Sequence, residues 1–389
     1  MANVNDAYDI ALNVIERVGR ALGASGFVSI SHAHASGISY NNIGRPGLEF
    51  IEELVEKGAR VRVFATFNPV GVPLDPRPLI DYDVEYSEVE EQHRIINLLI
   101  KMGFHFSATC IPYILRRPKP KEHLAWGESS AVAIANSFFG AYTNKEGGPL
   151  ALLAAIAGVT YNAGLHIATN RKPKIQVIVP RPENEVDAGL LGYLVAQKAS
   201  EIPAVQCLGG WRCGFTCFKA FAAAYASFSH NAHFVIVGVS PESGKVEGDN
   251  KIVIDEEEVE MAREKFSDVN VEDVDVFYTG CPHITLGEVF RVIRLVERAK
   301  TIYRKKYEVW VGVPGYYILR RWWVKVRDYA MRRGVRLLAG TCPVVMDVRK
   351  FVDRVATDSV KAAFYLKVRH RLNVKVSTLE QYLGLKRNG

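Results

Sequence analysis

Apolar positions along the chain switch between two periods. Ile10, Ala11, Val14, Ile15, Val18 and Leu22 recur at helical spacing and predict a helix over residues 5–23. Gly26-Phe27-Val28-Ser29-Ile30 reads as a strand, followed by a polar loop from Ser31 to Ser39. Leu48, Ile51, Leu54 and Val55 mark the next helix, closed by Gly58. Arg60 to Ala65 reads as a strand ending in Thr66-Phe67-Asn68-Pro69, Glu88 to Met102 as a helix, and His105 to Thr109 as a short strand that delivers Cys110.

The alternation continues. Gly127-Glu128-Ser129-Ser130 opens an Ala-rich helix, Ala131 to Phe139, and Leu150 to Gly158 forms a second, with a glycine-flanked polar loop between them. Ile175–Val179, Phe234–Val239, Val274–Thr279, Glu308–Val311 and Val335–Ala339 read as strands. Glu185–Ala199, Glu256–Phe266, the stretch from Leu286 and Tyr317–Arg333 read as helices. Thr357-Asp358-Ser359 caps a helix containing Lys361, and Ser377-x-x-Glu380 has the spacing of a capping box. Residues 201–230 fit the pattern least well. They are expected to join two lobes, 1–200 and 231–389. The whole predicts an α/β fold of mainly parallel sheets covered by helices, with ligands at the C-terminal ends of the strands.

Composition adds limits. Of 389 residues, 48% are hydrophobic and 23% charged, ordinary for a globular chain. No uninterrupted apolar run reaches the roughly 18 residues of a membrane span. Asp6 and Asp9 stand where a signal peptide carries basic residues before an apolar core, so a cytoplasmic protein is expected. The net charge of +7 is spread along the chain, densest at Arg116–Lys121, Arg304–Lys306 and Arg320-Arg321. It permits an anionic substrate or an acidic partner, and no nucleic-acid-binding motif accompanies it.

Six cysteines in such a chain argue against a disulfide framework and towards metal or catalysis. Three share one context: Ser107-Ala108-Thr109-Cys110-Ile111-Pro112, Thr279-Gly280-Cys281-Pro282 and Gly340-Thr341-Cys342-Pro343. Each is an apolar run, then small residues, a Cys at the break, and a Pro soon after. Three thiolates on a cubane cluster leave one iron open, and an open metal site acts as a Lewis acid. Cys207-x5-Cys213-x3-Cys217 is a rival local triplet, although Phe215 and Phe218 suggest that it packs inside. His283 stands where it can support a ligand by hydrogen bonding, whereas His32 and His34 read as loop histidines.

A set of loops resembles the aconitase X family: Gly37-Ile38-Ser39, Asn68-Pro69, Gly127-Glu128-Ser129, Thr143-Asn144-Lys145-Glu146-Gly147-Gly148-Pro149, Gly280-Cys281-Pro282, Thr341-Cys342-Pro343 and Ser359-Val360-Lys361. The likeness runs from about residue 26 to 370 and matches the separate large subunit of that family. It implies an aconitase-like hydro-lyase with a [4Fe-4S] cluster on Cys110, Cys281 and Cys342. It implies substrate contacts from Gly37, Ile38, Ser39, Asn68, Pro69, Glu128, Ser129 and Lys361. The archaeal branch dehydrates (R)-5-phosphomevalonate to trans-anhydromevalonate 5-phosphate in isoprenoid synthesis; another branch dehydrates cis-3-hydroxy-L-proline. A small subunit carrying the swivelling domain and the proton-abstracting serine is the implied partner, so no catalytic base is expected here. No membrane or nucleic-acid partner is expected.

Two readings of another class stand beside this one. The first is a Rossmann-like binding protein with structural cysteines, which lacks the glycine fingerprint that nucleotide binding needs. The second is a metal-binding scaffold built on Cys207, Cys213 and Cys217.

Overall fold

Helix α1 (Ala7–Ala21) buries Ala7, Ala11, Ile15 and Gly19, one face of the periodicity read above, and Asp6 caps its start. The computed structural model describes residues 6–82, 88–211, 213–242, 246–247 and 250–385. Residue 5, the expected helix start, lies outside them.

The first group of elements continues with β1 (Phe27–Ser29), β2 (His32–Ala35), α2 (Tyr40–Glu56), β3 (Phe64–Phe67), α3 (Val89–Met102), β4 (Ala125–Trp126), α4 (Ser129–Ser137), α5 (Gly148–Ala157) and β5 (Val159–Tyr161). Strands β3, β2 and β4 form a parallel sheet in that order, and β1 pairs antiparallel with β5. The segment Ser31–Ser39, expected as a polar loop, therefore contains the central strand of this sheet. All four residues of β2 are buried, and its histidines find partners on β3, which is how a strand this polar is held in a core.

The second group comprises β6 (Ile175–Val179), α6 (Glu185–Lys198), β7 (Pro203–Cys207), α7 (Gly214–Phe228), β8 (Val235–Ile236), β9 (Lys251–Val253) and α8 (Glu256–Lys265). Its parallel sheet runs β8-β7-β6-β9. Residues 201–230, expected to join two lobes, supply β7 and α7 to this layer.

The third group comprises β10 (Val276–Thr279), α9 (Leu286–Tyr303), β11 (Val309–Val313), α10 (Trp323–Met331), β12 (Val335–Ala339), β13 (Arg354–Thr357), α11 (Val360–His370), β14 (Asn373–Val376) and α12 (Leu379–Tyr382). Its five parallel strands run β12-β11-β10-β13-β14. The helix expected over Tyr317–Arg333 is broken, because a short turn, Gly315–Leu319, leads into extended Arg320 before α10 begins. The capping box at the last helix uses Thr378 and Gln381, one residue later than the expected Ser377 and Glu380. Among the described residues no helix is long and apolar enough to cross a membrane.

Candidate active site

The C-terminal ends of the first and third sheets meet. Val70 N–H donates to the Gly340 carbonyl at 2.9 Å, and the Thr341 hydroxyl donates to the Val70 carbonyl at 2.6 Å. Cys281 leaves the end of β10 and Cys342 the end of β12, the two strands that flank β11. Tight turns require the glycines ahead of them. A side chain at Gly280 (φ +108°) would sit 2.5 Å from the Gly312 carbonyl, and one at Gly340 (φ +70°) 2.3 Å from Leu74.

Cys110 arrives differently. The expected strand His105–Thr109 is an irregular extended segment pinned to β3. His105 and Thr109 N–H groups donate to Ala65 and Phe67 carbonyls, but the Phe67 N–H donates to the Ser107 hydroxyl instead of to backbone, and that hydroxyl shares the Phe67 carbonyl with Thr109. Ala108, at φ 40°, then turns the chain towards the third sheet, where its carbonyl accepts from Gly315 N–H. The side chain breaks the ladder, so no strand forms.

Cys110, Cys281 and Cys342 are all buried, with free thiols. Burial pushes each thiol up, to about 12 at Cys281 and about 11 at Cys342; Cys110 feels both other thiols, and Cys281 feels Cys342. His283 knits the turns together. Its backbone N–H donates to Cys110 Sγ at 3.1 Å, its Nε2 meets the Thr341 carbonyl at 3.1 Å, and its carbonyl accepts from buried Lys219. The Ser359 hydroxyl donates to the Cys281 carbonyl at 2.5 Å. Backbone N–H groups of Val344 and Val345 pull the Cys342 value back down. Buried thiols that are neutral when free, with N–H groups aimed at two of the sulfurs, fit a metal cluster, because ligation ionises a thiol and N–H donors stabilise the resulting sulfur charge. Among the described residues no three His, Cys, Asp or Glu side chains converge on a single-ion site; a cluster spreads its ligands around a larger body.

The facing wall comes from the first sheet. Glu128 follows β4 and is the N-cap of α4, accepting from Ser130 N–H. Its Oε1 takes Lys361 Nζ at 2.6 Å and its Oε2 takes Asn68 Nδ2 at 2.8 Å. Lys361 Nζ also lies 3.3 Å from Ser129 Oγ. The Lys361 ammonium and these hydrogen bonds hold the Glu128 carboxyl well below its usual range despite burial, and Glu128 in turn raises Lys361. Glu128 thus caps α4 and holds Lys361 and Asn68 with one side chain. Lys361 stands in the first turn of α11, after its cap Ser359, and it also lowers the Cys281 and Cys342 thiols.

Gly37, Ile38 and Ser39 follow β2. Ile38 and Ser39 are buried, and Ser39, the N-cap residue of α2, makes no capping bond. Its hydroxyl lacks a protein partner. Pro69 is buried beside Asn68. The structure therefore brings Asn68, Glu128, Ser129 and Lys361 into direct contact and sets Gly37–Ser39 at the end of the strand between β3 and β4.

Sequence reasoning missed His32, His34 and Thr66. Both histidines are fully buried, not in a loop, and both hydrogen-bond Thr66 Oγ1 at 2.8 Å. The His-Ala-His-Ala alternation was the available signal: period two is a strand period even when one face is imidazole. Of the rival triplet, Cys217 is fully buried in α7 with its thiol facing the Asn184 carbonyl, and the Cys207 thiol faces the Gly210 carbonyl.

Three family models match: aconitase X first domain over residues 2–169, second domain over 172–264 and third domain over 274–384. The chain is 36% identical over 371 residues to the phosphomevalonate dehydratase large subunit of Aeropyrum pernix, covering 92% of this chain and 90% of that one. The chain belongs to the aconitase X family. The corresponding Thermococcus kodakarensis protein is 32% identical over 92% of this chain and 90% of its own. Cis-3-hydroxy-L-proline dehydratase of Hypocrea jecorina is 33% identical over 76% of this chain but 51% of its own length. The crystal structure of Thermococcus kodakaraensis aconitase X in its holo-form superposes with a TM-score of 0.86 at 29% identity, covering 98% of this chain and 95% of that one.

Proposed function

We propose that this chain is the large subunit of a hydro-lyase that dehydrates (R)-5-phosphomevalonate, acting as one catalytic unit with a separate small subunit. The observation that carries the reading is likeness to phosphomevalonate dehydratase large subunits over about nine-tenths of both chains. The proline-derivative dehydratases match over only half of their own length.

Cys110, Cys281 and Cys342 are the residues that hold an iron–sulfur cluster in this proposal. When bound, it supplies one iron with an open position, a Lewis acid for a departing hydroxyl. The chain's own side chains do the rest. Lys361 and Glu128 neutralise each other in the absence of substrate, so an incoming carboxylate competes with Glu128 for the ammonium. The Ser39 hydroxyl at the start of α2, without a protein partner, suits an anionic group of the substrate. Asn68 and Ser129 supply directional hydrogen bonds around it, and Gly37, Ile38 and Pro69 shape the wall. The proton next to the carboxylate is taken by a base on the small subunit.

Anaerobic reconstitution with the small subunit tests this. Water loss from 5-phosphomevalonate only when both chains are present is the expected result. Turnover of cis-3-hydroxy-L-proline alone would replace the substrate; activity without the partner would place the base on this chain.

A further inference from the structure

Five buried polar groups under the first sheet form one connected line. His32 Nε2 lies 2.8 Å from Thr66 Oγ1, and Thr66 Oγ1 lies 2.8 Å from His34 Nδ1. His34 Nε2 lies 3.3 Å from Asn68 Oδ1, and Asn68 Nδ2 lies 2.8 Å from Glu128 Oε2. The direction of every bond follows from the last one. An ionised carboxylate only accepts, so Asn68 turns its NH2 to Glu128 and its carbonyl to His34. A carbonyl only accepts, so His34 Nε2 carries the proton. Burial, its largest cause, lowers the His34 pKa to about 4, so the ring is neutral near pH 7 and its Nδ1 is a bare acceptor. Thr66 must then donate to His34 and accept from His32 Nε2–H.

The line ends at His32. With its proton on Nε2, His32 has a bare Nδ1, and that atom is buried without a partner. Its ring meets Trp126 edge to face at 5.1 Å, and the Trp126 indole N–H is also buried and unpartnered. Reversing the line fails at its other end, because His34 Nε2 and Asn68 Oδ1 would then face each other as two acceptors.

We infer that His32 and His34 are positioning residues. Through Thr66 they form a one-way hydrogen-bond chain, His32 to Thr66 to His34 to Asn68 to Glu128, that locks the Asn68 amide and the Glu128 carboxylate beside Lys361. The lock assigns Glu128 Oε2 to Asn68 and leaves Oε1 to Lys361 and Ser130. Neither histidine touches the substrate; each acts through the next group. The effect on turnover rests on the dehydratase reading, whereas the tautomers do not.

The test has two arms. Nitrogen-15 NMR of the full chain labelled at histidine is expected to show neutral Nε2–H tautomers at both positions. An Nδ1–H tautomer at His34 overturns the chain, whatever the enzyme does, and this arm needs no variant to fold. In the second arm, Thr66→Val and Thr66→Ser are assayed with the small subunit, with circular dichroism to check the fold. Thr66→Val is expected to lower kcat about 10-fold or more with a smaller change in KM, as losses of supporting hydrogen bonds do, and Thr66→Ser is expected to restore it. Equal loss in both folded variants shows a packing effect and overturns the positioning role. Nε2–H tautomers in a protein that does not dehydrate 5-phosphomevalonate support the hydrogen-bond chain while removing the dehydratase reading.

Discussion

Cys281 and Cys342 leave a sheet whose strands are apolar, while Asn68 and Glu128 leave one whose central strand reads His-Ala-His-Ala. On the cysteine wall, Val276, Phe277 and Tyr278 of β10 pack into the core, and the chemistry is confined to the turn beyond it. On the facing wall the chemistry begins inside the sheet, because His32, His34 and Thr66 are buried at 0% exposure and serve one another as partners. One wall is rigid through apolar packing and glycine turns; the other is rigid through polar groups that must all be satisfied together. The two should therefore fail differently when single side chains are removed.

The largest effect is expected on the cysteine wall. Cys110→Ala, Cys281→Ala and Cys342→Ala should each lose bound iron and sulfide and abolish dehydration, while Cys207→Ala should retain both. Iron and sulfide analysis after anaerobic purification reads this directly, and a full complement of iron in any of the first three would remove that residue from the ligand set. Because thiols in an apolar setting tolerate replacement by a small apolar side chain, these variants should unfold at nearly the wild-type denaturant concentration when compared without cluster.

Lys361→Met removes the ion pair that reaches from the third group to Glu128 on the facing wall, and should show the reverse balance. It leaves the Glu128 carboxylate buried with only hydrogen-bond donors, and breaking a buried ion pair from one side costs about 3–5 kcal/mol. Guanidinium unfolding should show that loss, and Lys361→Met with Glu128→Leu should recover part of it. The wild type carries a matching pH signature. Glu128 is held below its ordinary value, so its contribution is complete above about pH 4.3 and is lost as pH falls through the lowered value.

The contrast also explains what could be read from the chain in advance. Alternating β and α elements, the Gly-Cys-Pro turns after β10 and β12, and Lys361 in the first turn of its helix all follow from local patterns. The strand β2 was overlooked because, although His-Ala-His-Ala has a strand period, its polar face is buried only through partners on β3, more than two dozen residues away. His105–Thr109 was overread for the converse reason. Its period fits a strand, but the Ser107 hydroxyl takes the place of a backbone acceptor for the Phe67 N–H. Tertiary hydrogen bonds by side chains, invisible to periodicity, decided both cases. The same holds for the Glu128–Lys361 pair, whose members are 233 positions apart.

A smaller effect is expected at Glu146, in the loop that pairs with β4. Burial raises its carboxyl to about 7, and Oε1 has no partner. The unfolded chain releases this proton near pH 4.3, while the folded one keeps it to about 7. Folding stability should therefore fall as pH rises between those values. Asp358, also raised to about 7 by burial, adds to the same slope. Glu146→Gln should flatten it by one proton, as read from denaturation midpoints across a pH series. An unchanged slope would show that Glu146 ionises freely and that its wall is wetter than the packing indicates.

The smallest effect separates two adjacent readings of one helix cap behind the cysteine wall. Thr378 donates its N–H to Gln381 Oε1 at 2.9 Å, and its hydroxyl accepts from Gln381 N–H at 3.2 Å. Ser377, one residue earlier, hydrogen-bonds the Thr378 carbonyl and Gln381 Oε1 without reaching the helix N–H groups. Thr378→Ala should cost about 1 kcal/mol, the usual loss for an N-cap. Glu380, whose partner is the half-exposed Arg291, should cost much less on replacement by alanine. If Glu380→Ala proved the costlier of the two by denaturation, the cap would use the earlier register, and α12 would begin one residue sooner against β10.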